Sequence, residues 1–182
     1  MNLFFRTLFQ LLRSRRAPAL GPHDVGRIRF RVLPTDLDLL GHMNNGVYLS
    51  IMDLGRMDLM IRSGAWATLQ REGYYPVATA TTMAYRKSLQ PWQRFTLETK
   101  IVGLDDKAVY VEQRFVVKGE IYARGFMRGR FLKKTGGTVD MADLVRVLGI
   151  EGTAPELPSW LSAWSRDSAL PATRAEAPSD WV

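Results

Sequence analysis

Between Asp36 and Tyr48 the chain reads DLDLLGHMNNGVY, a short run that gathers two carboxylates, one histidine and two side-chain amides. The apolar spacing that follows predicts a helix from Asn44 to about Ser63, so these groups sit where an extended segment hands over to a helix. A helix start offers unpaired main-chain N–H groups and the positive end of the helix dipole, both suited to an oxyanion formed by attack on a carbonyl. The amides of Met43, Asn44 and Asn45 are the candidates for that role. Asp38, in the preceding loop, could attack the carbonyl directly or take a proton from a water. His42 could orient a neighbour. The same residue types also build ordinary turns and helix caps, and a lone aspartate at a helix start is more often structural than catalytic. Both readings stand at this point.

Composition narrows the chemistry. The 182 residues suit one domain of common size with tails, and 46% hydrophobic content is enough for a buried core. No cysteine is present, which excludes disulfides, thiolate metal sites and a cysteine nucleophile. With only His23 and His42 and no acidic cluster at ligand spacing, no metal is expected. His23 lies in a Gly-Pro linker and is given no role. The formal net charge is +7, and residues 151–182 carry five acidic against two basic side chains, so the rest of the chain is near +10. Such a field attracts phosphates, acidic lipid or nucleic acid alike. Without a zinc-finger spacing or an RNA-binding motif, no nucleic-acid partner is expected.

Positioning the run requires the elements around it. Residues 27–33, RIRFRVL, alternate basic and apolar side chains as a half-buried strand, and Pro34 ends it. After the helix, four extended stretches are expected at 76–89, 94–104, 108–117 and 121–133, separated by turn residues, with a short helix at 140–148. One strand, one long helix and four strands describe an α+β domain with an antiparallel sheet packed on one helix. Residues 151–182 read as an ordered strap near 155–164 followed by a disordered end.

Ahead of the domain, residues 1–16 predict an amphipathic helix, and 17–26 a linker. Phe4, Phe5, Leu8, Phe9, Leu11 and Leu12 share one side, while Arg6, Gln10 and Arg13 are expected to face away from it. The apolar stretch is far shorter than a membrane span and its charges follow it, unlike a secretory signal. Two fates remain open for this helix: reversible, peripheral contact with a membrane, or docking on its own domain.

The segment D-x-D-x-x-x-H-M-N-N-x-x-Y resembles the signature of hotdog acyl-CoA thioesterases of the 4-hydroxybenzoyl-CoA thioesterase superfamily, and is similar to a stretch of plant acyl-carrier-protein thioesterases. RVLPTDLDLLGHMNNGVYL, RKSL, VGLDDKAVYVEQRF and PELP together resemble the thioesterase superfamily member six group over about residues 27–160. The resemblance implies a hotdog fold, a curved antiparallel sheet of about five strands wrapped around one long helix. It places the family aspartate on Asp38 and leaves Asp36 as a supporting loop residue. Asn45 stands where several bacterial relatives carry histidine. It also implies at least a homodimer, with dimer or tetramer both open, because the family's sites form between subunits.

On that basis the expected activity is hydrolysis of an acyl-CoA or acyl-carrier thioester, with no cofactor beyond the coenzyme A of the substrate, in the cytoplasm or at a membrane surface. Tyr48, Tyr85, Arg86 and Lys87 are candidate substrate contacts; Met83 and Phe126 are candidates to line an acyl tunnel; Lys107, Arg128 and Arg130 add positive charge. Each of these is also what an ordinary core or sheet edge would show. The rival reading is a non-hydrolytic thioester-binding or membrane-associated scaffold protein. A hotdog dehydratase is disfavoured, since it would pair a catalytic histidine with an acid in a different local pattern.

Overall fold

The computed structural model describes residues 4–150, 155–172 and 175–179. Five strands form one antiparallel sheet in the order β1-β3-β4-β5-β2. They are β1 (Gly26–Arg31), β2 (Tyr74–Tyr85), β3 (Arg94–Leu104), β4 (Val109–Val117) and β5 (Glu120–Lys133). The helices are α1 (Phe4–Ser14), α2 (Asn45–Arg62), α3 (Ala65–Arg71), α4 (Met141–Leu148) and α5 (Ser159–Asp167). This is the hotdog architecture, with α2 as the long helix against the sheet. No helix among the described residues is long and apolar enough to cross a membrane.

The sheet forms where alternation supplies one apolar face per strand. In β3 the side chains of Phe95 and Leu97 are buried while Arg94 is exposed, and in β4 Phe115 and Val117 follow the same period of two. Those residues meet Val47, Tyr48, Ile51 and Met52 of α2 in one core cluster. A second cluster lies under α3 and α4, where Val109, Val111, Met127 and Phe131 meet Leu69 and Leu144. The close approach of α2 to the sheet depends on Gly55. A Cβ there would lie 2.5 Å from Leu97 Cδ2 and from Thr99 Oγ1.

The opposite face of the sheet is covered as well. Tyr110 and Phe126 pack with Leu161 of α5, and Phe126 meets Trp160 edge to face at 4.8 Å. Two sequence expectations change here. The strap near 155–164 contains a helix, α5, and Phe126 faces it rather than an acyl tunnel beside α2. Residues 151–154, 173–174 and 180–182 of the expected strap and tail lie outside the described residues, as do residues 1–3 of the expected N-terminal helix.

The N-terminal helix forms as expected but docks with the other side. Gln10 and Ser14 are buried, whereas Phe5, Leu8, Phe9 and Leu12 are exposed; the side chain of Phe4 lies outside the described residues. The reason is chemical complementarity. Asp58 of α2 is buried, and its Oδ1 accepts hydrogen bonds from Ser14 Oγ at 2.6 Å and Gln10 Nε2 at 3.1 Å, while Arg62 Nη1 donates to Oδ2 at 3.2 Å. A buried carboxylate is costly unless so partnered. Arg62 comes from α2 itself, but the two donors to Oδ1 come from the polar stripe of α1, so the apolar ridge turns outward.

Candidate active site

β1 delivers the chain to a single 3-10 turn at Pro34–Asp36, and the loop from there to α2 is tied at several points. Leu37 and Met43 form an isolated antiparallel bridge, and Asp38 N–H donates to His42 O at 2.9 Å. The turn from Asp38 to Gly41 closes with Gly41 N–H donating to Asp38 O at 3.1 Å, and Gly41 supplies the left-handed φ of 79° that the reversal needs. Asp38 is thereby held beside the start of α2 with its side chain 23% exposed.

The carboxylate of Asp38 is partly engaged. Its Oδ1 accepts the Leu40 N–H at 2.9 Å, and its Oδ2 lies 3.2 Å from His42 Nδ1. That second contact has the distance of an ion pair when the imidazole is protonated but not the geometry of a good hydrogen bond, since His42 Nδ1 has no partner that meets it. Oδ2 is therefore the oxygen available for chemistry, with His42 beside it.

Most of the helix-start amides are spoken for. Met43 N–H donates to Leu89 O at 2.9 Å and Asn44 N–H to Asp36 O at 2.8 Å. Asn44 is the N-cap, its Oδ1 accepting Gly46 N–H at 2.8 Å, and Asn44 O accepts Val47 N–H at 2.9 Å. Among the described residues from Met43 to Val47, only Asn45 keeps a main-chain N–H with no protein acceptor. The three-amide expectation thus narrows to one donor. The side chain of Met43 is buried in the core, and the Asn45 side chain is exposed.

Tyr48 is buried, and its hydroxyl accepts the Leu89 N–H at 3.2 Å; burial pushes its ionisation above the ordinary value of 10.0. It meets Tyr85 edge to face at 5.2 Å, and Tyr85 is exposed at the end of β2, its hydroxyl also raised by desolvation. Tyr48 therefore holds the 86–93 loop against the site, with Tyr85 the face that a ligand could meet. Arg86 Nη1 and Lys87 Nζ both pair with Glu120, at 2.7 and 2.8 Å, and their hydrogen bonds hold the Glu120 carboxyl below the usual range. Two cations against one carboxylate leave a single net positive charge there. Met83 packs at the edge of the α2 cluster.

The remaining sequence candidates lie elsewhere. Lys107 sits in the turn between β3 and β4, at the far end of the strands from Asp38, and Arg128 donates to Tyr110 Oη at 3.3 Å on the α5 face. Arg130 is opposite Val77 in the β2–β5 ladder. Positive charge near the site end of the sheet comes instead from Arg29, Arg31, Arg94 and Lys118, which line an open cleft of about 730 Å³ and form no ion pair among the described residues. The period-two pattern of RIRFRVL signalled Arg29 and Arg31 as outward-facing; their juxtaposition with Arg94 needed the strand order.

An apolar cavity of about 340 Å³ opens between the second half of α2, α3 and the β2 side of the sheet, lined by Met57, Met60, Leu69, Val77, Val111 and Phe131. Arg56 stands at its rim, hydrogen-bonded to Gln113 Oε1 at 2.7 Å and ion-paired with Asp53; burial lowers its ionisation despite that partner. None of this was legible beforehand, because the cavity is made by segments far apart in sequence.

Comparison with known proteins fits this geometry. The Thioesterase-like superfamily model matches residues 32–165, from just after β1 into α5. The chain belongs to this superfamily. Among relatives of this thioesterase-like chain, Protein THEM6 of Xenopus laevis is 37% identical over 131 residues, covering 70% of this chain and 62% of that protein. Protein THEM6 of Danio rerio is 32% identical over 149 residues, 81% of this chain and 73% of that one. The chain thus spans under two thirds of the length of the first of these relatives. The fold is shared with the YbaW probable thioesterase of Escherichia coli, at TM-score 0.64 and 19% identity over 67% of this chain and 95% of that one. It is shared too with the BH1999 gentisyl-coenzyme A thioesterase, at TM-score 0.59 and 21% identity over 66% and 98%.

Proposed function

We propose that this protein hydrolyses acyl thioesters, with acyl-CoA as the first substrate class to test. The observation that carries this reading is that Asp38 keeps Oδ2 available in the loop leading into α2, while Asn45 keeps an unoccupied N–H at the helix start, in a chain of the thioesterase-like superfamily. In the general-base route, Asp38 takes a proton from a water whose oxygen bonds to the thioester carbonyl carbon. The oxyanion so formed is held by the Asn45 N–H and the positive end of α2. Its collapse breaks the C–S bond and the thiol leaves with the proton. In the nucleophilic route, Asp38 attacks the carbonyl carbon and the C–S bond breaks, releasing the thiolate and leaving a mixed anhydride; water then hydrolyses the anhydride, freeing the acid, restoring the carboxylate and supplying the proton that the thiolate takes up. The cleft of Arg29, Arg31, Arg94 and Lys118 suits the phosphates of coenzyme A.

A second copy of the chain completes this picture. β2 is an edge strand of 12 residues whose outer side has no partner among the described residues, and a long open edge invites pairing with its own copy. The apolar cavity begins near Asp53, about 12 Å along α2 from Asn45 at 1.5 Å per residue, and runs away from the helix start. An acyl group seated there is remote from Asp38 of the same chain, which supports a site shared between two subunits paired through β2.

A non-hydrolytic acyl-thioester binder is the second reading. It is favoured by the Asp38 Oδ1 contact to Leu40 N–H, which is what a purely turn-forming aspartate makes. The exposed ridge of α1, followed by exposed Arg13, Arg15 and Arg16, supports peripheral contact with an anionic membrane under either reading. The deciding experiment is thiol release from a panel of acyl-CoAs of graded chain length, alongside calorimetric binding of the same compounds. Turnover above the uncatalysed rate supports hydrolysis; binding of an acyl-CoA without turnover of any member overturns it in favour of the binder.

A further inference from the structure

The superfamily match begins at residue 32, yet a residue of α1 reaches into the loop that carries Asp38. Arg6, Gln10 and Ser14 are spaced four residues apart and form one stripe along α1. The lower two bind Asp58. The upper one, Arg6, donates through Nη2 to Arg31 O at 2.9 Å and lies 2.8 Å from Asp36 Oδ2. Asp36 is fully buried.

Asp36 is the knot of the site loop. Its Oδ2 also accepts the Leu33 N–H at 2.8 Å, its own N–H donates to Leu33 O at 2.9 Å, and its carbonyl accepts the N–H of the α2 N-cap, Asn44, at 2.8 Å. One residue therefore joins the end of β1, the helix α1 and the start of α2, two positions before Asp38. The charge of Asp36 can stay buried only because the guanidinium of Arg6 answers it. Remove that guanidinium and the buried carboxylate loses its charge partner, which loosens the bonds from Asp36 to Leu33 and Asn44 that frame the Asp38 loop.

We infer that Arg6 is a positioning residue for the Asp38 loop, and that α1 is a working part of the active domain rather than an appendage to it. The inference rests on the proposed role of Asp38 for its effect on rate, but not for its effect on the loop. Arg6 touches no reacting atom. It acts by holding Asp36, and its effect belongs to kcat rather than to substrate affinity, because it governs the placement of the catalytic oxygen and not the acyl or nucleotide contacts.

The test uses the full chain with Arg6→Met, Arg6→Lys and Ser14→Ala. Ser14→Ala weakens the docking of the same helix at Asp58 but leaves Asp36 alone. Amide hydrogen exchange over residues 36–47 is read first, then kcat and KM on the acyl-CoA that the parent protein turns over best. The expected result for Arg6→Met is exchange raised about tenfold or more in 36–47 with β3 and β4 unchanged, and kcat lowered by about a hundredfold, the effect of a misplacement near 1 Å, with KM within about twofold. Arg6→Lys, which keeps a charge near Asp36, should recover part of both; Ser14→Ala should alter neither.

If Arg6→Met does not fold, Arg6→Met combined with Asp36→Leu removes both charges together and restores packing; faster exchange is then expected at Leu33, whose N–H has lost its acceptor, and in 36–47, which the Asp36 carboxylate no longer ties to the end of β1. Exchange that rises equally in all segments, or a Ser14→Ala variant that matches Arg6→Met, overturns the inference and leaves α1 a simple clamp. Should the parent protein turn over no acyl thioester, the exchange comparison still decides the loop, while the hydrolytic reading alone fails.

Discussion

Asp36 and Asp38 stand two residues apart, and the structure assigns them opposite consequences on mutation. Asp38→Asn preserves the side-chain shape, and the amide oxygen can still accept the Leu40 N–H that Oδ1 accepts now at 2.9 Å. The side chain is partly exposed and no strong ion pair is lost, so the stability change should stay within about 1 kcal/mol, the worth of one ordinary hydrogen bond. The rate is another matter. An amide cannot take a proton from water, and loss of general-base assistance costs roughly 100-fold to 10,000-fold, or about 3 to 5 kcal/mol of barrier at 1.36 kcal/mol per tenfold. Asp36→Asn does the reverse. It leaves the half-buried Arg6 guanidinium without its counter-charge at a fully buried position, a break worth about 3 to 5 kcal/mol of stability. For a chain of this size each kcal/mol moves the midpoint by roughly 2 to 4 °C, so a fall in Tm of about 6 to 20 °C is expected. Thermal melting and steady-state turnover on the same preparations separate the two. Near-parental turnover by Asp38→Asn on the best acyl-CoA found would refute the mechanism. A melting point that collapses for Asp38→Asn while Asp36→Asn melts normally would show that the roles have been exchanged.

Three further outcomes follow from packing and surface chemistry. Gly55→Ala should lose about 1 to 3 kcal/mol in denaturant unfolding, because the new methyl meets Leu97, Thr99 and Gln113 and α2 must move off the sheet; an unchanged midpoint would mean that α2 does not lie this close. Sedimentation at micromolar concentration should give a dimer or larger species, and a lysine at Thr81, exposed on the open edge of β2, should push it to monomer with unaltered circular dichroism; a parent that is already monomeric removes the shared-site idea. Phe5→Ser combined with Phe9→Ser should reduce flotation with anionic liposomes, and salt should reduce it further in the parent, since each basic residue near such a surface adds only about 1 kcal/mol. Flotation indifferent to both changes would leave the ridge of α1 without a lipid partner.

Much of the sheet could be read in advance because alternation has a period that only a strand satisfies. β3 was expected at 94–104 and is Arg94–Leu104, and β4 and β5 begin within one residue of their expected starts. β2 differs more, beginning at Tyr74 and ending at Tyr85, since Arg86 and Lys87 both turn their N–H groups to Tyr122 O and leave the strand. α3 was missed because Gly64 reads as a helix stop. It is one, with φ 77°, but it also opens a new helix at Ala65 in another direction. α5 was missed because Pro155 and Pro158 suggested an irregular strap, whereas Pro158 stands at the N-cap of a helix whose Leu161 is wholly buried.

The face of α1 shows most clearly what periodicity leaves undecided. A helical moment says that Phe5, Leu8, Phe9 and Leu12 lie together and that Arg6, Gln10 and Ser14 lie together; it does not say which stripe meets the protein. The decision belongs to the partner surface. One sign of it was in the sequence, in Asp58, the polar exception among the apolar positions of α2. A carboxylate on the inward side of a core helix must be answered by donors from another segment, and α1 is the segment that brings them. The helix-start amides obey the same rule. Which of Met43, Asn44 and Asn45 keeps a free N–H depends on acceptors at Leu89 and Asp36, which reach the loop only when the sheet and the 3-10 turn have formed. A candidate such as Asp38 can therefore be proposed from local pattern, while the donor at the helix start is settled by the groups that have already taken its neighbours.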